Sequence, residues 1–197
     1  RTFDVDFKMW KWDYFFIKDF FSKEEIKKIN QNIEQNHLSI EDTSKVSKYA
    51  ESNKSKKKTK TYQINYGKIK PLLKNVEELA DEINEANFGF DLYSLKSTSN
   101  VLLNVYDSKT KSQYDWHFDH SRSDIYDVKL TLLVNLSLKK YDGGSFEIFN
   151  SGSYKIKELD KPGSAILIKS YLNHKVNLVT KGERRTLTLF LKGPKLK

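Results

Sequence analysis

The sequence predicts a mainly β fold with helices at its N-terminal end. Two observations carry this. Two segments with helical apolar spacing lie within residues 1–89, and after residue 90 the chain breaks into short β-type runs separated by turn signals. Eight or so such runs in about 100 residues suit a sandwich or barrel, with the helices packed outside one sheet.

The elements follow in order. DYFFIKDFF, from Asp13, is aromatic-rich and reads as a buried strand. Ser22 and Glu25 have capping-box spacing, and Ile26, Ile29 and Ile33 then share one helical face. A second helix is expected to start near Pro71, a good first-turn residue, with Leu72, Leu73, Val76, Leu79, Ala80 and Ile83 as its apolar stripe and Gly89 at its end. Between the helices, Lys54, Lys56, Lys57, Lys58 and Lys60 crowd together. This basic loop, about 45–60, has few apolar anchors. It is expected to be a solvated, mobile loop, with a flap over a site or a basic contact surface as the alternatives. The β runs are NVLLNVY, YDWHFD, VKLTLLVNLSL, GGSFEIF, YKIKEL, GSAILIK, HKVNLV and RRTLTLFLK. Tyr141-Asp142-Gly143-Gly144 and Lys161-Pro162-Gly163 are turns between them. With no internal repeat, residues 1–197 read as one domain: 1–89 as support and 90–192 as β core.

Composition narrows the chemistry. The chain has no cysteine, which excludes disulfides, zinc–thiolate sites and cysteine nucleophiles, so any metal must use nitrogen and oxygen ligands. The same absence makes the cytoplasm the default expectation. No apolar run approaches the roughly 18–20 residues of a membrane span. The stretch RTFDVDFKMWKWDYFF lacks the smooth apolar centre of a secretory leader. A net charge of +9 brings a nucleic-acid or acidic partner into consideration.

The segment YDWHFDH, residues 114–120, concentrates candidate ligands. In an extended chain His117 and Asp119 share one face, whereas His120 points the other way with Phe118. A third ligand must come from elsewhere. His37 lies near the end of the first helix, and His174 begins a late strand in SYLNHKVNLV. In a double-wound sandwich early and late strands become neighbours, so His174 can meet the first pair. Two imidazoles and one carboxylate form the facial triad of non-haem Fe(II) oxygenases, which leaves three coordination positions open.

The wider pattern resembles the 2-oxoglutarate- and Fe(II)-dependent dioxygenase superfamily, and within it the prolyl 4-hydroxylase-like branch. Tyr106 stands on a strand, and His117 and Asp119 follow about ten residues on. LTLLVNLSLKKYDGGSFEIF gives a strand, a Gly-Gly turn and a strand. His174, Val176, Gly182, Arg184 and Thr186 then complete the pattern over roughly residues 100–192, with Arg184 ten positions after His174. The resemblance implies a double-stranded β-helix, or jelly-roll, core flanked by helices. It implies Fe(II) held by His117, Asp119 and His174, 2-oxoglutarate as co-substrate and O2 as oxidant. Arg184 would pair with the far carboxylate of 2-oxoglutarate, since a planar guanidinium can hold two oxygens at once. Tyr106 and Thr186 would add hydroxyl contacts, or else serve as core tyrosine and strand packing. Arg185 alternates to the opposite face and reads as a surface residue.

The chain departs from the pattern where LTLLVNLS offers Asn135 but no tyrosine, and where Leu178 stands at a position that is often proline. Trp116, just before the metal pair, either shapes the substrate mouth or simply packs. The implied activity is hydroxylation of a peptidyl residue, proline first, with 2-oxoglutarate decarboxylated to succinate. Oxidation of a free amino acid or other small molecule is the alternative. Nucleic-acid demethylation is disfavoured because Phe190 stands where that family usually has a second arginine. A non-enzymatic metal- or nucleic-acid-binding sandwich would have no need of Arg184.

Overall fold

The structure, a computed structural model, describes residues 13–43, 57–121 and 123–195. In chain order the elements are β1 (Tyr14–Ile17), α1 (Lys23–Asn36), β2 (Ser39–Asp42), β3 (Lys57–Lys58), β4 (Lys60–Asn65), α2 (Tyr66–Ile69), α3 (Val76–Asn87) and β5 (Asn100–Asp107). They continue with β6 (Gln113–His117), β7 (Asp127–Asn135), β8 (Asp142–Gly143), β9 (Phe146–Phe149), β10 (Ser153–Lys155), β11 (Ala165–Lys169), β12 (Asn173–Val176), β13 (Val179–Lys181) and β14 (Glu183–Gly193).

A major antiparallel sheet has the order β1-β11-β7-β14-β5-β4-β2, and a minor sheet the order β10-β9-β12-β6-β3. Facing each other, they form the expected double-stranded β-helix. The major sheet is buried on both sides, and strand alternation divides its residues between two cores. Leu103, Leu130, Leu132, Val134, Leu167, Leu187 and Leu189 meet the helices. Tyr106, Leu133, Ile166 and Ile168 face the minor sheet, where Phe146, Ile148 and Val176 come from the other side. This explains why LTLLVNL reads as a nearly unbroken apolar run.

Helix α1 forms as the sequence predicts. Ser22 and Glu25 exchange backbone–side-chain hydrogen bonds of 2.8 and 3.3 Å, and Ile26, Ile29 and Ile33 are buried. The second helix differs. Pro71 lies in a 3-10 turn, Lys70–Leu72, and the longer helix begins only at Val76. Lys74 and Asn75 both have φ near +46°, a left-handed pair that breaks the helical path. The break lets the Lys74 ammonium reach back to the Phe20 carbonyl (2.9 Å) and Glu25 (3.0 Å), fixing this segment to the start of α1. The Lys161-Pro162-Gly163 turn closes on the same corner. Gly163, at φ +86°, accepts from the Phe21 amide, and a Cβ there would collide with the Phe21 carbonyl.

Residues 45–56 of the expected basic loop lie outside the described residues. Lys57, Lys58 and Lys60 do not form a loop: they belong to strands β3 and β4. Among the described residues, no helix is long and apolar enough to cross a membrane.

Arg185 is not the surface residue that alternation suggested. The face opposite the sandwich interior is covered by α1. There the guanidinium donates to Asn30 Oδ1 (2.7 Å), Glu34 (2.8 Å) and Glu183 (2.6 Å). Asn30 is itself buried and donates to the Leu136 carbonyl at 3.0 Å. Arg185→Ala should therefore lower stability by about 1–3 kcal/mol, because it leaves a buried amide oxygen unpaired. A urea denaturation midpoint equal to that of the parent would show that this clamp contributes nothing.

Candidate metal and co-substrate site

The site lies between the two sheets. Strands β6 and β12 pair antiparallel with His117 directly opposite His174. Both imidazoles project inward, with ring centroids 4.2 Å apart. Each ring is held by its own local backbone: His117 Nδ1 lies 2.7 Å from the Asp115 carbonyl and His174 Nδ1 lies 2.8 Å from the Leu172 carbonyl. A carbonyl oxygen can only accept, so Nδ1 carries the proton and Nε2 of each neutral ring carries the lone pair.

Strand phase alone does not place the third member. Strand β6 ends at His117, and Asp119 sits in the loop beyond it. Its backbone amide donates to the Ser170 carbonyl at 2.8 Å, and Thr131 Oγ1 donates to its Oδ2 at 2.7 Å. These bonds turn the carboxylate inward, with Oδ2 3.5 Å from His174 Nε2. One ligand atom from each of His117, Asp119 and His174 lies within 4.8 Å of the others. His120 is exposed and packs on Phe118, away from this cluster. His37 caps α1 and packs on Tyr62.

A register shift between His174 and Val176 rearranges β6 further. Tyr114, three residues before His117, returns to the interior and stacks on its ring at 3.4 Å and 12°. The bulge explains this, because strict alternation would have put the two on opposite faces. Trp116 meets Phe149 edge-on, and the Lys175 ammonium lies 4.7 Å from its ring centroid. It does not line the cavity.

That cavity, about 150 Å³, is lined by the triad together with Tyr106, Tyr114, Arg184, Thr186 and Lys57, among others. A larger hollow of about 640 Å³ beside Lys23, Lys139 and Tyr141 contains no triad residue, so size does not locate the site.

Arg184 is 1% exposed, and its strand register places it opposite Tyr106. Its guanidinium carbon is 5.6 Å from the Tyr106 ring centroid, and Nη1 donates to Thr186 Oγ1. Nε is buried with no hydrogen-bond partner among the described residues. A buried guanidinium with an unfilled donor is costly unless an anion completes it. Gly144, at φ +63°, makes room for it: a Cβ there would press on Val179 and on the Arg184 stem. Burial raises the Tyr106 phenol pKa well above its usual value, the nearby Arg184 charge opposing this, so the hydroxyl stays a donor. The donor set therefore fits both a divalent metal and a dicarboxylate: two imidazoles with Nε2 directed at one point and an oriented carboxylate, then a buried guanidinium with hydroxyls beside it.

Comparison with known proteins agrees with this chemistry. Residues 101–192 match the 2OG-Fe(II) oxygenase superfamily. Solved structures with the same fold include a Pseudomonas putida prolyl-4-hydroxylase, 14% identical with a TM-score of 0.67, covering 93% of this chain and 94% of that one. The viral collagen prolyl hydroxylase of Paramecium bursaria Chlorella virus-1, in its 2OG complex, is 19% identical with a TM-score of 0.66, covering 91% and 96%. A prolyl hydroxylase from Trichoplax adhaerens, in complex with a hypoxia-inducible-factor peptide fragment, is 16% identical with a TM-score of 0.65, covering 91% and 83%. No curated protein sequence gives a significant match. The β core thus matches the 2OG-Fe(II) oxygenase superfamily, and the chain shares its fold with these prolyl hydroxylases. Fe(II), 2-oxoglutarate and O2 are the reactants that this family and this triad fit.

Thr131, Tyr114 and Lys57 were not identified from the sequence. Thr131 holds the loop carboxylate from a neighbouring strand. Thr131→Val keeps the shape and removes that hydrogen bond. Mn(II) titration should show metal affinity falling roughly 10–100-fold. Unchanged affinity would mean that the Ser170 contact alone orients Asp119.

Proposed function

We propose that this protein is an Fe(II)- and 2-oxoglutarate-dependent hydroxylase of peptidyl proline, in which His117, Asp119 and His174 hold the metal. Arg184, assisted by Tyr106 and Thr186, receives the far carboxylate of 2-oxoglutarate. The observation that carries the reading is the buried, incompletely satisfied Arg184 guanidinium in the same cavity as the triad. A structural arginine would have its donors filled. The prolyl hydroxylases that share the fold support proline as target and a peptide or protein as partner.

Bound there, the metal and 2-oxoglutarate would supply the oxidising chemistry with O2, one oxygen atom going to the substrate hydroxyl and the other into succinate as 2-oxoglutarate loses CO2. The protein's own residues position and shield. The carbonyls that accept from Nδ1 of both histidines leave Nε2 as the nitrogen that would face the metal, and Thr131 fixes the orientation of the carboxylate. Tyr106 keeps its proton and can donate to a carboxylate beside Arg184. Leu133, Phe146 and Val176 line the cavity with apolar surface, which limits water and strengthens the charge interactions within it.

Succinate release from 2-oxoglutarate with Fe(II), screened over proline peptides, free amino acids and nucleic acids, tests the reading. Proline peptides should stimulate it and gain one oxygen. Stimulation by amino acids or nucleic acids alone would overturn it. Arg184→Ala should raise the 2-oxoglutarate requirement by tenfold to a few hundredfold, roughly the loss of a charge-assisted bidentate pair, with Arg184→Lys between. Separately measured metal affinity should change little. Co-substrate titrations identical in parent and Arg184→Ala would remove Arg184 from this role.

A further inference from the structure

Resting on the reading of the cavity as a 2-oxoglutarate site, we propose that Thr188 donates a hydrogen bond to the 2-oxo acid end of the co-substrate, and that Asn104 positions it to do so. Side chains from β4, β5 and β14 form a line of hydrogen bonds. Thr61 Oγ1 lies 2.9 Å from Asn104 Oδ1, and Asn104 Nδ2 lies 3.1 Å from Thr188 Oγ1. All three residues are buried. Asn104 and Thr188 line the cavity, and Thr61 does not. Chemistry fixes the directions. An amide oxygen can only accept, so Thr61 gives its proton to Asn104. An amide nitrogen can only donate, so Thr188 accepts. Turning the amide over would leave the buried Thr61 hydroxyl proton with no acceptor among the described residues, which is the costlier arrangement. Thr188 therefore keeps its own proton, and no described side chain or carbonyl takes it. That proton is offered to whatever fills the cavity.

Strand register identifies the partner. Arg184 lies opposite Tyr106 at one end of the cavity. Phe190, six residues on, lies opposite Thr131, which holds Asp119. Thr186 and Thr188 are the two inward positions between them. Thr186 accepts from Arg184, so its hydroxyl belongs with the far carboxylate. Thr188 is one step nearer the triad, where a co-substrate reaching from Arg184 to the metal must put its 2-oxo acid group. The oxygens of that group accept and do not donate, which suits a hydroxyl held as a donor. The cavity's 150 Å³ or so equals about five waters at roughly 30 Å³ each. That is room for one small dicarboxylate, and a substrate side chain has to stand beyond it. Thr188 is thus the residue that touches the ligand, and Asn104, acting through it, is a positioning residue.

The experiment measures anaerobic binding, by calorimetry, to protein loaded with Mn(II). The ligands are 2-oxoglutarate and 2-oxovalerate, which keeps the oxo acid end and has a methyl group in place of the far carboxylate. The proteins are parent, Thr188→Val, Thr188→Ser, Asn104→Leu and the double variant Asn104→Leu/Thr188→Val. Thr188→Val should bind both ligands roughly ten- to a hundredfold more weakly, and Thr188→Ser, which keeps the hydroxyl, should stay close to the parent. Asn104→Leu should weaken binding less than Thr188→Val, and the double variant should be no worse than Thr188→Val alone, because Asn104 acts through Thr188. Retained Mn(II) binding reports that each variant is folded, and the two Thr188 variants decide the matter even if Asn104→Leu loses its fold. Unchanged affinity in Thr188→Val overturns the proposal, and so does an equal loss in Thr188→Ser. A loss confined to 2-oxoglutarate overturns it as well, since it would move Thr188 to the far carboxylate. Additive losses in the double variant overturn the role given to Asn104. Failure of the Mn(II)-loaded parent to bind 2-oxoglutarate at all would instead overturn the co-substrate reading itself.

Discussion

The buried guanidinium of Arg184 is the constraint around which the site is organised. A permanent charge inside a sandwich is tolerated only with hydrogen-bonding partners and a compensating anion. The structure provides Thr186 beside it, Tyr106 opposite it and a glycine turn that leaves room for its stem, yet Nε has no partner among the described residues. The same cavity holds two imidazoles whose backbone contacts fix their protons away from the metal position. An anion-seeking donor and a cation-seeking donor set in one small space define what the cavity is built to hold: a metal and a carboxylate-bearing chelator together.

The frame around it keeps those groups fixed. Because the major sheet is buried on both faces, β14 is held by the helices through Leu187, Leu189 and the Arg185 clamp while it presents Arg184, Thr186 and Thr188 to the interior. The two neighbouring arginines therefore have opposite tasks on opposite faces. One closes the helix layer onto the sheet, and the other enters the reaction cavity. Adjacent strands supply His117 and His174, so their separation is set by sheet spacing and does not depend on loop conformation. Only Asp119 comes from a loop, and it is the member of the triad that receives a hydrogen bond from Thr131.

Much of this was legible in the sequence because it follows from short-range rules. The capping box, the isoleucine face of α1 and the two-period pattern of the β runs are local, and the spacing from His117 to Asp119 and from His174 to Arg184 carries the family pattern. What was not legible depends on irregular backbone or on what covers a surface. The left-handed pair Lys74–Asn75 moved the start of the helix, which an apolar stripe cannot reveal. The bulge in β6 placed Tyr114 on His117, and a period-two reading predicts the reverse. Alternation puts Arg185 on the face away from the cavity but cannot tell that α1 lies over it. Lys57 was hidden in a basic run whose composition reads as solvated loop, although the two buried threonines that follow set its phase inward.

The most direct test is a crystal structure of the protein with Mn(II) and 2-oxoglutarate. The account predicts one ion bound by Nε2 of His117, Nε2 of His174 and the Asp119 carboxylate, at roughly 2.0–2.2 Å. It predicts the far carboxylate of 2-oxoglutarate against the Arg184 guanidinium, with Nε or the terminal nitrogens donating. An ion held by His120, or a dicarboxylate seated in the larger hollow beside Lys23 and Lys139 with Arg184 untouched, would contradict it.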